Sequence, residues 1–240
     1  MIEQGAVTIV VWPLAVSAAR LEYLGALLST EERDRGDRIR REAAAREFVV
    51  SRGVARELLA LVCGASPADI RFGAGRHGKP YIEAPLPAPG FNLSHSGGYG
   101  ALAVGPAVRI GLDIEAVRAT VGDLAGSVFT PHEADRYARS APGVRMRIFF
   151  RAWVAKEAYL KATGDGLAGG LTSLELDLTD STDIRPLAIR GDAQALGAWQ
   201  FRGFDVADSI VGALAVEGAD TPLAVRILHI DAEQPPGAIS

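Results

Sequence analysis

The chain has 240 residues, 48% of them hydrophobic and 22% charged, with a formal net charge of −4 and one cysteine. That length and apolar share suffice for one large domain or two small ones with a real core, and the acidic balance argues against the basic face that non-specific nucleic-acid binding needs. No apolar run reaches membrane-spanning length and Met1-Ile2-Glu3-Gln4 lacks the basic region of a signal peptide, so no membrane association and a cytoplasmic location are expected.

In chain order, Val7 to Trp12 predicts a strand ended by Pro13, and Arg20 to Leu28 a helix. Ser29 and Glu32 have capping-box spacing for the next helix. An arginine-dense stretch follows, including Arg33, Arg35, Arg38, Arg40, Arg41, Arg46, Arg52 and Arg56; acids four residues away, as in Glu42 to Arg46, make most of it a solvated helix surface. The helix from Glu42 to about Cys63 is closed by Gly64, and Cys63 reads as a small buried hydrophobe. Ile70 to Phe72 predicts a strand leading into the loop Gly75-Arg76-His77-Gly78-Lys79-Pro80, whose backbone N–H groups and lysine suit a phosphate as well as an ordinary turn. Pro85 to Gly90 is an irregular connection. Phe91-Asn92-Leu93-Ser94-His95-Ser96-Gly97-Gly98 then places two hydroxyls and an imidazole in a glycine-flanked turn before a strand over Tyr99–Val104; it reads as an anion grip or as a self-satisfied serine-rich turn.

Gly105-Pro106 marks a boundary between two halves. Val108 to Glu115 predicts a buried strand with Asp113 and Glu115 on one face, because strand side chains alternate. Two carboxylates side by side call for a hard cation such as Mg²⁺, or else mark a strand end running into water. Thr130-Pro131-His132-Glu133 predicts a capped helix start, with that helix ending near Ser140 and a central helix following from Val144. Phe149, Trp153, Glu157 and Lys161 recur on it at four-residue steps, a stripe that changes from aromatic to charged. The helix stops at Gly164, at the start of the turn Gly164 to Leu167. Leu174 to Leu178, Trp199 to Asp205, Ser209 to Val216 and Leu223 to His229 predict strands, and Asp231 to Ser240 a frayed tail.

The segments Gly78-Lys79-Pro80, Phe91 to Ser96, Gly111-Leu112-Asp113-Ile114-Glu115 and Trp153 to Lys161, in this order, resemble the 4'-phosphopantetheinyl transferase superfamily over roughly Arg33 to Leu167. Chain length selects its larger monomeric class, which activates peptide and polyketide synthetases. The resemblance implies a pseudo-twofold α+β fold with the active site in the cleft between its halves. Residues 1–105 would carry the coenzyme A adenylate and phosphate contacts, 106–230 the metal site and catalytic helix, and 231–240 would be a flexible tail. It implies transfer of 4'-phosphopantetheine from coenzyme A to a serine of an apo acyl or peptidyl carrier domain, releasing adenosine 3',5'-bisphosphate. By the same analogy Asp113, Glu115 and Glu157 hold Mg²⁺, Glu157 is the base, and Lys161 reaches a phosphate oxygen or the leaving group. Ser94 and His95 hold the pyrophosphate or 3'-phosphate, with His95 counted among the catalytic groups. Arg46, Gly78, Lys79 and Pro80 hold the adenylate end, and Lys156 contacts phosphate or faces solvent. Asp165 stands where members of the family often carry a basic residue. Two other readings use the same residues: a catalytically silent coenzyme A sensor, and a Mg²⁺-dependent nucleotide phosphohydrolase.

Overall fold

The structure is a computed structural model whose described residues are 6–106, 109–120, 124–166, 170–218 and 223–237. They fall into two compact units, one comprising Met1–Ala74, Pro80–Ala107 and Ala224–Ser240, the other Gly75–Lys79 and Val108–Leu223. Both are α+β, and each carries a 22-residue helix against a β-sheet, mixed in the first unit and antiparallel in the second. Both long helices end on a left-handed glycine, Gly64 and Gly164, the conformation in which a Cβ would be strained.

In the first unit, β1 (Ala6–Pro13), β4 (Gly90–Ser96), β5 (Tyr99–Gly105) and β11 (Ala224–His229) form a sheet ordered β11-β1-β5-β4. β1 is apolar and buried almost throughout because it is an inner strand. Helices α1 (Ala18–Ala26), α2 (Thr30–Asp37) and α3 (Glu42–Cys63) follow it. The Ser29–Glu32 capping box of α2 forms as the spacing predicts. Val50, Val54 and Leu58 recur every four residues and share one core with Val10, Trp12, Leu102 and Val104, which lays α3 on the sheet. A small hairpin, β2 (Arg71–Ala74) with β3 (Pro80–Ala84), completes the unit.

Arg56 is an exception to the solvated surface expected for most of the arginine-dense stretch: it is buried, pairs with Glu32 and donates to the carbonyls of Pro67 and Ile70, because folding brings those acceptors to it; Arg20 is buried too. The strand ending at His229, expected within the C-terminal half, pairs in parallel with β1 and belongs to the first unit. The segment after it is docked up to Gln234, with Ala232 buried and its carbonyl accepting from Arg20 Nε at 2.8 Å, while residues 238–240 lie outside the described residues. Cys63 is half-buried, which pushes its thiol pKa upward.

In the second unit, β6 (Ile110–Ala116), β9 (Trp199–Ala207) and β10 (Ile210–Glu217) make an antiparallel sheet ordered β6-β10-β9. Val108, predicted to start the first of these strands, lies outside the described residues. Helices α4 (Ala125–Val128), α5 (Pro131–Arg139) and α6 (Pro142–Thr163) precede a second pair, β7 (Leu174–Leu176) and β8 (Pro186–Ile189). α6 starts two residues before the predicted Val144, with Pro142 at its first position, where the missing N–H has no partner to lose. One core joins α6 to Val211, Ala213 and Ala215 of β10 and to Leu174 and Leu176 of β7, so the helix is covered on more than one side.

Candidate functional site

The site is built on one face of β6. A side chain on Gly111 would place its Cβ 1.9 Å from the backbone oxygen of Ala158, so that face of β6 lies directly against α6. Residues 111, 113 and 115 share a face by alternation, which turns Asp113 and Glu115 toward the helix while Ile110, Leu112 and Ile114 fill the opposite side. Only glycine permits this approach, and a glycine inside a strand pattern is the signal by which the sequence could have revealed it.

From α6, Lys161 reaches back to this face. Its Nζ donates to Asp113 Oδ1 at 2.7 Å and to the carbonyl of Leu112 at 3.2 Å. Glu157, one turn earlier, is half-buried, and its Oε1 is buried with no hydrogen-bond partner among the described residues. Its carboxyl is pushed above the usual carboxylate range, first by burial and then by the charge of Asp113; Lys161 opposes the shift and Glu115 adds to it. The three acids predicted as one set therefore sense one another. As the side chains stand, no three His, Cys, Asp or Glu among the described residues close around a metal position, and the ammonium of Lys161 lies on Asp113. An all-oxygen donor set with an unsatisfied buried acceptor nevertheless fits a hard divalent cation. Trp153 stacks on Phe149 with ring centroids 6.1 Å apart, so the aromatic part of the stripe is packing.

Lys156 is corrected outright: it neither contacts phosphate nor faces solvent. Its side chain and that of Glu133 are both 0% exposed, and Nζ donates to Glu133 Oε2 at 2.9 Å, to the carbonyl of Leu171 at 3.1 Å and to that of Leu174. An ammonium has three donors, and all three are used. The four-residue stripe did not expose this, because Lys156 lies off it on a side of α6 that β7 and the Leu171 turn cover.

Lys79 is held differently. Its Nζ donates to the carbonyls of Ile110 and Ala162, each at 3.0 Å, which among the described residues leaves one donor of the three for another acceptor. Burial, and next the charge of Arg109, lower its pKa from 10.5 to about 8. The N–H groups of Gly75 and Gly78 bond inside their own loop, to Lys79 and Gly75 carbonyls, so they do not form the expected phosphate cradle. Asp165, at the turn after α6, accepts from Arg190 at 3.0 Å.

The remaining predicted residues lie in the first unit. Ser94 and His95 are strand residues at the end of β4, not turn residues; Gly97-Gly98 alone makes the turn to β5. Ser94 is buried beside Asn92's face of the strand while His95 is exposed on the other, so the two side chains point to opposite faces. Arg46 is exposed on α3, and Pro80 opens β3.

The profile of the 4'-phosphopantetheinyl transferase superfamily matches residues 109–215, and that of the 4'-phosphopantetheinyl transferase N-terminal region matches residues 15–107. The chain is 34% identical over 210 residues to the 4'-phosphopantetheinyl transferase HetI of Nostoc sp., covering 86% of this chain and 85% of that protein. It is 33% identical over 169 residues to a 4'-phosphopantetheinyl transferase of Bacillus subtilis, covering 70% and 75% of the two chains. With a phosphopantetheinyl transferase of Thraustochytrium sp. it shares 30% identity over 241 residues, 94% of this chain and 83% of the other. A β6 face carrying Asp113 and Glu115 opposite Glu157 and Lys161 thus occurs in a chain matched over most of its length by such enzymes, and the chain belongs to the 4'-phosphopantetheinyl transferase superfamily, as an enzyme of its larger class.

Proposed function

We propose that this enzyme transfers 4'-phosphopantetheine from coenzyme A to a serine hydroxyl of an apo acyl or peptidyl carrier domain, with Asp113, Glu115 and Glu157 as the residues that hold Mg²⁺. The family uses coenzyme A and typically Mg²⁺, and acts on carrier domains. The observation that carries the assignment is Glu157: a half-buried carboxylate with a raised pKa, an unsatisfied Oε1, and two further acids on the strand it faces.

The serine oxygen attacks the β-phosphorus, the bond from that phosphorus to the bridging oxygen breaks, and adenosine 3',5'-bisphosphate leaves. Glu157, directly or through a bound water, is the candidate base for the serine proton. Mg²⁺, when bound, neutralises the pyrophosphate oxygens. Lys161, whose ammonium lies on Asp113, supplies a positive charge on this face and would reach a phosphate oxygen or the leaving group. Lys79 offers its remaining donor to a coenzyme A phosphate. The resemblance assigns further coenzyme A contacts to Arg46, Gly78, Pro80, Ser94 and His95, of which His95 is an exposed side chain. A monomeric, cytoplasmic enzyme is part of the same proposal. No helix among the described residues is long and apolar enough to cross a membrane. The sensor and phosphohydrolase readings are not favoured, since the relatives are named as transferases.

The test is incubation with coenzyme A, Mg²⁺ and a panel of apo carrier domains, followed by mass spectrometry of the carriers. A covalent gain of one phosphopantetheine on the carrier serine is expected. Coenzyme A binding without that gain, or phosphate release without a carrier, would overturn the reading.

A further inference from the structure

One fully buried charge pair is not used by the proposed chemistry. Lys156 and Glu133 are both completely buried. Besides Lys156, the Glu133 carboxylate accepts from the backbone N–H of Thr130 at the α5 cap and from that of Leu176 on β7, each at 2.8 Å. Lys156 adds the carbonyls of Leu171 and Leu174. A pair of residues thus ties α6 to the first turn of α5, to the turn at Leu171 and to β7.

Buried ion pairs are poor sources of stability, because desolvating both charges offsets most of their attraction, and apolar residues of similar volume often serve as well or better. What such a pair supplies is direction. The three acceptors of Lys156 sit on separate segments, so meeting all of them constrains the rotation of α6 about its axis. Lys156 and Glu157 are neighbours, about 100° apart on the helix, so the rotation that satisfies one determines where the other points. Gly111 sets how closely α6 approaches β6, and core packing adds to the constraint on its orientation.

We infer that the Lys156–Glu133 pair is a positioning device that holds α6 at the rotation presenting Glu157 to Asp113 and Glu115. The inference rests on the role given to Glu157 above. Lys156 itself, with every donor engaged away from the site, touches no substrate.

The test replaces both charges together, Lys156→Met with Glu133→Gln, so that neither is left buried alone; Glu133→Gln by itself is the milder second variant. Mn²⁺ affinity is read by calorimetry without substrate, kcat and KM by carrier modification, and folding by thermal melting and far-ultraviolet circular dichroism. At a temperature where each variant is folded, the double variant is expected to bind Mn²⁺ about tenfold or more weakly and to lose kcat by a similar factor, as for other residues that orient ligands from behind. KM for coenzyme A should stay close to wild type, and the single variant should show a smaller change of the same kind. Wild-type Mn²⁺ affinity and kcat in either folded variant would overturn the inference. So would equal losses in every parameter, including KM, which describe general loosening. Failure of the transferase reading is distinguishable, because then wild type modifies no carrier while the Mn²⁺ titration still reports on whether the pair orients the acids.

Discussion

The ammonium of Lys161 lies 2.7 Å from Oδ1 of Asp113, joining the last turn of α6 to the middle of β6. The carboxylate is only 8% exposed and the ammonium 30%, so the attraction is weakly screened and the lysine acts as the resident positive charge of the acidic face. If a divalent ion takes over Asp113, Lys161 must move. Lys161→Met is therefore expected to bind Mn²⁺ in the absence of substrate at least as tightly as wild type, while kcat falls by about 10²-fold or more through loss of a phosphate-facing charge. Calorimetry and the carrier assay separate the two effects, and weaker Mn²⁺ binding would show that Lys161 does not compete for Asp113.

Glu157→Gln should reduce turnover by about 10²–10⁴-fold, the usual contribution of a general base. Its effect on stability has the opposite sign. The folded-state pKa of Glu157 is raised, so the stability associated with its proton is present at low pH and is lost as the pH rises through the folded pKa. In metal-free buffer at neutral pH the glutamine variant should melt at or above the wild-type temperature, and the difference should shrink on acidification below the ordinary carboxylate pKa of 4.5. Near-normal turnover in this variant would remove Glu157 from the mechanism.

Lys79 yields a pH dependence with a definite direction. Its pKa falls from 10.5 to about 8 in the folded protein, so on alkalinisation the folded chain releases this proton before the unfolded chain does, and its contribution to stability rises between those values. A phosphate contact needs the charged form. Coenzyme A affinity should therefore weaken as the pH rises from 7 to 9, and Lys79→Met should bind less tightly with a flatter profile. Identical pH profiles for the two proteins would exclude Lys79 from the phosphate site.

Gly111→Ala tests the contact between β6 and α6. A methyl group 1.9 Å from a helix carbonyl cannot be absorbed by a side-chain rotation, so strand and helix must separate. A loss of about 3 kcal/mol, at the upper end for overpacking, is expected in denaturant unfolding, together with a larger loss of activity than of secondary structure. Trp153→Phe, by contrast, trims packing against Phe149 and should cost stability while leaving kcat nearly intact.

Arg20 holds the C-terminal segment to the first unit. Its guanidinium makes a two-pronged pair with the buried Glu57 and donates to the carbonyls of Ala232 and Gln234. Arg20→Ala strands Glu57, for which a loss of about 3–5 kcal/mol is expected. Truncation after Ile230 should destabilise the protein as well, and unchanged melting of that shortened chain would show that the docked segment contributes nothing.

Local signals in the chain determined much of the fold and part of the site. The Ser29–Glu32 and Thr130–Glu133 boxes, the glycines ending α3 and α6, and the alternation that puts Asp113 and Glu115 on one face depend only on residues a few positions apart. The same holds for the four-residue stripe that brings Glu157 and Lys161 to the side of α6 facing those acids. Tertiary structure alone decided which charges are inside. Lys156 and Lys161 are both lysines on one helix, yet one is sealed against Glu133 and the other reaches the acidic face of β6, because β7 and the Leu171 turn cover one side of α6 and β6 lies against another. Arg20, Arg56 and the segment through Gln234 follow the same rule: their partners, Glu57, Ile70 and each other, lie from 14 to 214 residues away in the chain. Periodicity reports the face a side chain takes, but burial depends on what packs against that face, and that is set by contacts remote in sequence.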